Sequence, residues 1–327
     1  MIQMKKKKIV VVGSGHVGST TVYTLMMAGT ADEIVLIDVN RDKAEGDALD
    51  MNHGMSFLPP VRLRVGGYED CADAALVVIT AGAATTPGET RMDLLQRNTR
   101  VFDNILDQMT PHLGEGAIIM VVTNPVDVLT QAVLRRSGLP PQRVIGSGTV
   151  LDTSRLKGAI AGHIGVDARD VFTFVIGEHG DTEVAAFSAT TISGMSLSEY
   201  CRLYGCCEEN KTDLCHLHEL HETVRTAAYH IIEKKGATYY AVALAVNKIA
   251  KAILSDQKAI LTVSSLIDGP YGIRDTCLSL PCVVGAGGVE RILEAPYSAE
   301  ETRALRHSAE TIRNAVESIE PAFIYSS

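Results

Sequence analysis

Short runs of β-branched and other apolar residues alternate with helical patterns along the first half of the chain. The runs lie at 9–12, 34–37, 75–80 and 118–122. Such runs are typical of strands buried on both faces of a parallel sheet. One helical pattern, at 17–28, ends at Gly29; a clearer one has a single apolar face of Leu94, Leu95, Val101, Phe102, Ile105, Leu106 and Met109. The alternation predicts an α/β fold with a doubly wound parallel sheet and right-handed crossovers.

The second half of the chain has a different, mixed pattern. A strand is predicted at 171–176, and helices are predicted at about 222–234 and 238–254. Further strands are predicted near 259–267 and 280–285, and a last helix, at about 299–318, carries an apolar stripe of Leu305, Ala309, Ile312, Val316 and Ile319. The pattern predicts a mixed α+β domain. We place the boundary at Ser147, which gives domains 1–146 and 147–327.

Composition limits the kinds of protein that this chain can be. It has 327 residues, 46% of them apolar, with a formal net charge of −9 and a pI near 5.6. The acidic balance argues against nucleic acid or an anionic membrane as the main partner, and no apolar run reaches the roughly 18 residues of a membrane span. The seven cysteines are irregularly spaced and no signal peptide is recognised. We therefore expect a cytoplasmic protein.

Cysteines and histidines cluster between residues 201 and 221. They are Cys201, Cys206, Cys207, Cys215, His216, His218 and His221. All are residue types that bind metals, but the spacing lacks the paired C-x-x-C arrangement of a structural zinc site. We interpret the segment as a surface helix and loop and expect no metal site. Adventitious metal binding is the alternative.

A glycine-rich motif follows the first predicted strand and begins the first predicted helix. Residues 13–18 read G-S-G-H-V-G. Glycines at this spacing let the backbone approach a pyrophosphate, whose charge lies at the positive end of a helix. Asp38 stands twenty residues after the last of these glycines, at the end of the second strand. Its carboxylate suits a ribose diol and would repel a 2′-phosphate, so the motif predicts NAD rather than NADP.

Further candidates follow the next two strands, at the sheet edge where open α/β sheets bind ligands. Gly82 follows the third run and Asn124 follows the fourth. Asn124 either contacts a bound nicotinamide or substrate, or simply forms a helix-initiating turn with Pro125. Arg91 begins a helix after a loop, and it either closes over a bound anion or lies on the helix surface.

A histidine between glycines is the candidate acid and base. His179 stands in I-G-E-H-G-D at 176–181, and an imidazole has the ordinary pKa closest to neutral pH. Asp152 and Arg155 are three residues apart on a predicted helix and share a face. They either form a local ion pair, or Asp152 orients His179 while Arg155 binds a carboxylate as a bidentate fork.

Together these segments resemble the NAD-dependent L-lactate and malate dehydrogenase family over nearly the whole chain. The resemblance is carried by V-V-V-G-S-G-H-V-G (10–18), L-I-D-V-N (36–40), A-G-A…P-G-E-T-R (81–91), T-N-P-V-D (123–127), G-T-V-L-D-T-S-R (148–155), I-G-E-H-G-D-T (176–182) and E-K-K-G-A-T-Y-Y (233–240). These segments are closer to bacterial L-lactate dehydrogenases than to malate dehydrogenases. The resemblance implies a Rossmann-type NAD-binding domain, a substrate domain, and reversible hydride transfer between NADH and pyruvate in fermentation after glycolysis.

The resemblance also implies a role for each matching residue. His179 would give a proton to the substrate carbonyl, while Asp152 holds its ring and Arg91 polarises the carbonyl. The substrate would be bound by Arg155, Asn124, Thr85 and Thr238. The cofactor would be bound by Gly13, Gly15, Val17, Gly18, Asp38, Gly82 and Asn124.

Thr85 departs from the family pattern. At this position, six residues before Arg91, typical lactate enzymes have glutamine and malate enzymes have arginine. Without a cation there, the second carboxylate of oxaloacetate would be buried unpaired at a cost of several kcal/mol, which disfavours malate dehydrogenase. Threonine is smaller than glutamine, so a dehydrogenase of larger 2-oxo acids, such as 2-oxoisocaproate, is the main alternative, although Ala227 and Ala228 match the lactate pattern. An NAD-binding sensor or structural protein is the non-enzyme alternative.

Regulation and assembly are further implications of the resemblance. Many bacterial relatives are activated by fructose 1,6-bisphosphate, which they bind through an arginine and a histidine at a subunit interface. We match these positions to Lys157 and Phe174. Because phenylalanine donates no hydrogen bond to phosphate, we expect little or no activation. The family forms dimers and tetramers, and we expect a homotetramer.

Overall fold

The first half of the chain alternates strands and helices as predicted. The computed structural model describes residues 7–83, 91–204 and 215–324, with 91–92, 215–216 and 320–324 described by their backbone only. The strands of the first half are β1 (Lys8–Val12), β2 (Glu33–Ile37), β3 (Arg62–Val65), β4 (Leu76–Ile79), β5 (Ile118–Val121) and β6 (Val144–Gly146). The helices are α1 (His16–Met27), α2 (Arg41–His53), α3 (Arg91–Met109), α4 (Val126–Ser137) and α5 (Val150–Ile164).

The second half combines short strands with long helices. Its strands are β7 (Val171–Phe172), β8 (Val175–Ile176), β9 (Val184–Ala185), β10 (Thr191–Ile192), β11 (Met195–Ser196), β12 (Ala259–Leu261), β13 (Ser264–Ile267), β14 (Thr276–Ser279), β15 (Cys282–Gly285) and β16 (Gly288–Ile292). Its helices are α6 (Leu197–Tyr204), α7 (Cys215–Lys235), α8 (Tyr240–Leu254) and α9 (Ala299–Ile324). In the described part of the chain, no helix has the length and apolar character needed to cross a bilayer.

One large sheet runs through both halves. Its strand order is β14-β13-β6-β5-β4-β1-β2-β3. The six strands of the first half pair in parallel, which confirms the predicted doubly wound sheet. β13 and β14 come from the second half and join antiparallel. The sheet therefore crosses the boundary placed at Ser147, and the division into domains 1–146 and 147–327 stays a prediction.

Two strands predicted as continuous are each interrupted. The run 171–176 forms β7 and β8, which pair with different strands in different sheets. Between them Thr173 is buried, and its hydroxyl shares a hydrogen bond of 2.6 Å with that of Thr190. The run 259–267 is likewise divided between β12 and β13, which belong to different sheets. Apolar content predicts a strand in each case but not its partners.

The large sheet is covered on both faces. Val10 and Val12 belong to a core cluster with side chains of α3, α4 and α9, whereas Ile9 and Val11 belong to a second cluster with side chains of α1 and α8. The stripe predicted on the last helix is buried as expected, at Leu305, Ala309, Ile312, Val316 and Ile319. The carboxyl ends of β1, β2, β4 and β5 share one edge of the sheet, so the polar residues that follow these strands are neighbours.

Candidate active site

The glycine turn after β1 is shaped by close backbone packing. Gly13 has φ +106°, and a Cβ there would lie 2.6 Å from the backbone nitrogen of Ala81. A Cβ on Gly18 would collide with the carbonyl oxygen of Gly13. Gly15 is different, because a Cβ there would meet no described atom within 4 Å. Two glycines thus allow the turn to fold, and the third leaves open space in front of the first turn of α1, where a pyrophosphate fits.

Asp38 lies beside this turn, at the carboxyl end of β2. Its carboxylate accepts hydrogen bonds from the backbone N–H groups of Ser14, at 2.5 Å, and Asn40, at 2.8 Å. These bonds fix the carboxylate next to the glycine turn. Each carboxylate oxygen has a second lone pair, so Asp38 retains acceptor capacity for a ribose hydroxyl. The residues present therefore fit an NAD molecule.

A buried asparagine connects the ends of β4 and β5. Asn98 of α3 is 1% exposed; its Oδ1 accepts a hydrogen bond of 2.7 Å from the N–H of Ala83, and its Nδ2 donates one of 2.8 Å to the carbonyl oxygen of Asn124. Gly82 packs closely between Asn98 and Thr123. The side chain of Asn124 itself is exposed. Asn98 was missed by the sequence analysis, because nothing in a helical pattern marks which polar residue faces inward.

The predicted His179–Asp152 contact is present. The Nδ1 of His179 lies 2.6 Å from the Oδ2 of Asp152, and Asp152 is 1% exposed. The other carboxylate oxygen accepts a hydrogen bond of 2.7 Å from Arg155. The local ion pair and the Asp152–His179 contact are therefore both present, because one carboxylate binds the imidazole and the guanidinium together. Binding of a substrate carboxylate by Arg155 stays a prediction. The contact engages Nδ1, so Nε2 is the ring nitrogen that Asp152 does not bind.

The electrostatics of this pair favour a charged imidazole and a charged carboxylate. Burial lowers the pKa of His179, but the charge and hydrogen bond of Asp152 outweigh it and raise that pKa to about 9. Burial raises the pKa of Asp152, but His179 and Arg155 outweigh it, so the pKa lies below its ordinary value. These contacts therefore favour the imidazolium form of His179 at neutral pH.

A second buried carboxylate holds the backbone of the same histidine. Asp127 of α4 is 2% exposed, and its Oδ2 accepts a hydrogen bond of 2.7 Å from the N–H of His179. Burial raises its pKa to about 6, against the effect of Ser264 and His179. Among the described atoms, its Oδ1 has no hydrogen-bond partner. In the sequence, Asp127 is only one residue of the motif T-N-P-V-D. Its contact with His179 spans 52 residues, so the spacing of residues does not predict it.

The loop that carries His179 is anchored to the large sheet. Gly177 forms an antiparallel bridge with Ser279 of β14, with N–H···O distances of 2.8 and 2.9 Å. The N–H of Glu178 donates a 2.6 Å hydrogen bond to the hydroxyl of Ser308 on α9. His179 is thereby held by β14, α4, α5 and α9 at once.

The remaining predicted site residues are described to different extents. Thr85 lies outside the described residues, and the side chain of Arg91 does too, although Arg91 begins α3. Val17 is partly buried against the core. Thr238 is partly buried between α7 and α8, and its neighbour Tyr239 stacks on His16 of the glycine turn with ring centroids 5.1 Å apart. This stacking brings the segment of Thr238 beside the turn.

The phenylalanine next to Lys157 is not the one that the sequence analysis named. The Nζ of Lys157 lies 5.6 Å from the ring centroid of Phe172, whereas Phe174 packs against the core. The structure therefore places Phe172 beside Lys157, while the match of the effector position to Phe174 stays a prediction. The side chain beside Lys157 is still a phenylalanine.

Among the described residues, three side chains of metal-binding types lie close together. Donor atoms of Asp152, His179 and Glu183 all lie within 4.8 Å of one another. Both oxygens of Asp152 are already bonded to His179 and Arg155, and a cation there would lie beside a guanidinium. We interpret these residues as an electrostatic cluster. In the segment 201–221, residues 205–214 lie outside the described part, as do the side chains of Cys215 and His216.

Nicotinamide-dependent dehydrogenases combine a dinucleotide turn at the edge of a parallel sheet with an acid–base side chain held nearby, and this chain has both. Comparison with known proteins agrees. The family model described as lactate/malate dehydrogenase, NAD binding domain, matches residues 7–146, and the model of the alpha/beta C-terminal domain matches 149–322. The chain belongs to the lactate/malate dehydrogenase family.

Individual relatives cover almost the full length. An L-lactate dehydrogenase of Acetivibrio thermocellus is 50% identical over 314 residues, which is 96% of this chain and 98% of that protein. L-lactate dehydrogenase 1 of Clostridium acetobutylicum is 49% identical over 315 residues, 96% and 99% of the two chains. The crystal structure of minor L-lactate dehydrogenase from Enterococcus mundtii superposes with a TM-score of 0.92 at 39% identity, covering 96% and 99%. These findings confirm the predicted family, the NAD cofactor and the oxidoreductase class.

Proposed function

We propose that this chain catalyses reversible hydride transfer between NADH and pyruvate, as an L-lactate dehydrogenase, with His179 as proton donor and acceptor. The observation that carries the proposal is the 2.6 Å contact between the His179 ring and the buried Asp152. Because this contact engages Nδ1, it supports Nε2 as the nitrogen that faces the substrate, and it favours the charged imidazole. NADH, when bound, supplies the hydride.

The side chains around His179 divide the remaining work. Asp152 positions the ring, and Nε2 gives its proton to the ketone oxygen as the hydroxyl of lactate forms. Arg155 uses one N–H for Asp152, and its remaining donors bind the substrate carboxylate. Arg91 closes over the substrate and polarises its carbonyl, and Asn124, Thr85 and Thr238 line the pocket. In the reverse reaction, neutral His179 accepts the proton.

The coenzyme side of the site follows from the open space at Gly15. Gly13, Gly18, Val17 and Gly82 shape the turn and the neighbouring strand end, and the amides at the start of α1 bind the pyrophosphate. Asp38 accepts hydrogen bonds from the adenosine ribose, which selects NAD. Asn124 contacts the nicotinamide side.

Assembly and regulation extend this proposal. We expect a cytoplasmic homotetramer that works in fermentation after glycolysis. We also expect fructose 1,6-bisphosphate to leave the half-saturating pyruvate concentration nearly unchanged, because Phe172 beside Lys157 offers no hydrogen bond to a phosphate. A large drop on adding the bisphosphate would refute that expectation.

A substrate panel tests the proposed reaction. NADH oxidation is followed with pyruvate, oxaloacetate and 2-oxoisocaproate, and we expect the highest kcat/KM with pyruvate. Preference for oxaloacetate contradicts the proposal. No turnover with any 2-oxo acid, despite tight NADH binding, would favour a sensor.

Thr85 favours one second candidate, a dehydrogenase for larger 2-oxo acids. The side chain at this specificity position is smaller than the usual glutamine, which leaves room beyond the methyl group of pyruvate. The Thr85→Gln variant measured with the same panel separates the two. If larger acids are the substrates, it lowers kcat/KM for 2-oxoisocaproate much more than for pyruvate.

A further inference from the structure

A third carboxylate lies behind the His179–Asp152 pair. Glu183 stands just before β9, and its side chain is 3% exposed. A carboxylate oxygen of Glu183 lies within 4.8 Å of a ring nitrogen of His179 and of a carboxylate oxygen of Asp152. A buried carboxylate at this distance interacts strongly with the imidazole, because little water screens it.

A histidine from α7 faces Glu183. The Nε2 of His221 lies 3.6 Å from the Oε1 of Glu183, about 0.6 Å longer than an ordinary N–H···O hydrogen bond. Within residues 7–83, 91–204 and 215–324, neither atom has a hydrogen-bond partner. These two buried, complementary atoms are poised to bond to each other.

The same face of α7 touches the His179 loop again. Arg225 lies one turn after His221, with its Nη1 3.9 Å from Asp181. Tyr229 lies one turn further and donates a hydrogen bond of 3.1 Å to Asp181. Residues at this spacing share a helix face, so α7 contacts the loop along three turns.

Resting on the proposed function, we propose that Glu183, held by His221 of α7, is a positioning residue whose negative charge stabilises the protonated form of His179. It forms a second carboxylate–imidazole pair beside the first. The position of α7 thereby influences the acid strength of the proton donor.

The surrounding charges set the direction of this effect. His179 faces Asp152 of α5, Asp127 of α4 and Glu183, and all three negative charges raise its pKa against the effect of burial. Glu183 faces His221 of α7, Asp152 and His179. Burial raises the pKa of Glu183, and His221 and His179 oppose that rise. His221 therefore both holds the Glu183 carboxylate in place and favours its ionised form, so that removing His221 weakens the support that Glu183 gives to the charge on His179.

The pH dependence of pyruvate reduction tests the proposal. Reduction needs protonated His179, so kcat/KM falls as the pH rises through its pKa. Glu183→Gln should move this fall to lower pH, giving about threefold to tenfold lower kcat/KM near pH 9 and little change near pH 6. His221→Leu should move it in the same direction by less, because the carboxylate remains but is no longer held in place. The double variant should resemble Glu183→Gln, because His221 acts through that one carboxylate. Glu219→Gln, an exposed carboxylate on the same helix, is the matched control.

A second measurement needs no turnover. Neutral imidazole reacts with diethyl pyrocarbonate and the protonated form does not, so the modification rate of the His179 peptide, read by mass spectrometry against pH, reports its protonation directly. Both Glu183→Gln and His221→Leu should shift this curve to lower pH, and if one of them fails to fold the other carries the test. Curves that superpose on wild type overturn the inference. Failure of the wild-type enzyme to reduce pyruvate would instead overturn the proposed function. The modification curves would still test whether Glu183 stabilises the protonated form of His179.

Discussion

Two buried carboxylates hold His179, and their pKa values are shifted in opposite directions. Its ring nitrogen lies 2.6 Å from Asp152, whose pKa lies below the ordinary value. Its backbone N–H bonds to Asp127, whose pKa burial raises to about 6. The first carboxylate keeps the imidazole charged, and the second fixes the loop that carries it.

Replacing the imidazole should separate binding from turnover. Asparagine at position 179 cannot donate a proton as an acid near neutral pH. We therefore expect His179→Asn to bind NADH with nearly wild-type affinity and to lower kcat by about 100-fold or more. Fluorescence titration of NADH and steady-state kinetics measure the two quantities. A kcat within a few-fold of wild type would mean that the proton comes from another group.

The raised pKa of Asp127 makes a prediction about stability. Since the folded-state pKa of about 6 exceeds the ordinary value of about 3.9, the folded protein loses stability as the pH rises through this interval and Asp127 ionises. Asp127→Asn has no such loss. Between pH 4.5 and pH 7.5, the free energy of unfolding of Asp127→Asn should therefore rise relative to that of wild type by about 1–2 kcal/mol.

Urea unfolding at fixed protein concentration measures this difference. Glu310→Gln, which changes an exposed carboxylate on α9, is a suitable comparison. A difference between Asp127→Asn and wild type that stays constant with pH would show that Asp127 is not held in this raised-pKa environment.

At the scale of elements, the glycines in the turn between β1 and α1 have different structural roles. Gly18 is required for folding, because a Cβ there collides with the carbonyl of Gly13. Gly15 has space for a Cβ in the protein alone, and that space is where the pyrophosphate would lie. The fold and the cofactor thus make separate demands on one motif.

Two alanine substitutions should separate the effect on folding stability from the effect on NADH binding. Gly18→Ala should lower the melting temperature markedly. Gly15→Ala should leave it nearly unchanged and weaken NADH binding by about tenfold or more, since it blocks close approach of the pyrophosphate. Gly162→Ala is the control, because this exposed helical glycine also has space for a Cβ, and it should raise stability by roughly 0.5–1 kcal/mol. Equal loss of stability in both turn variants would contradict this division.

The elements that the sequence predicted well are those determined locally. The run before Gly13 and the helix after it, the stripe on α9, and Asp38 after β2 all follow from periodicity and one motif. The break at Thr173 and the joining of β13 to β6 depend on distant partners, which periodicity does not reveal. For the same reason spacing does not reveal the contacts of Asp127 and Glu183 with His179. Spacing offered the pairing of Asp152 with His179 as one of two options, and the family resemblance favoured it.

At the scale of the whole molecule, two neighbouring helices, α1 and α8, expose large apolar side chains. α1 packs against α8, and at least half of each of four large side chains is exposed: Tyr23, Met27, Tyr240 and Leu244. Large exposed apolar surfaces on soluble proteins commonly mark interfaces between subunits. These two helices are therefore the place where we expect another copy of the chain to bind.

Light scattering after size-exclusion chromatography should give a mass of four chains. Leu244→Arg should lower this mass, because it places a charge in the apolar surface. Ile260→Arg, at an equally apolar exposed site on β12, should leave it unchanged. A monomeric wild-type protein would contradict the predicted tetramer.

The bridge between Gly177 and Ser279 has a consequence for how such an enzyme can change. It ties the loop of the proton donor to the same β-sheet whose opposite strands hold the coenzyme turn. The specificity position, Thr85, belongs to the connection between β4 and α3 in the sequence. We therefore expect that substitutions in that connection can change the substrate while the bridge keeps the His179 loop aligned with the coenzyme turn.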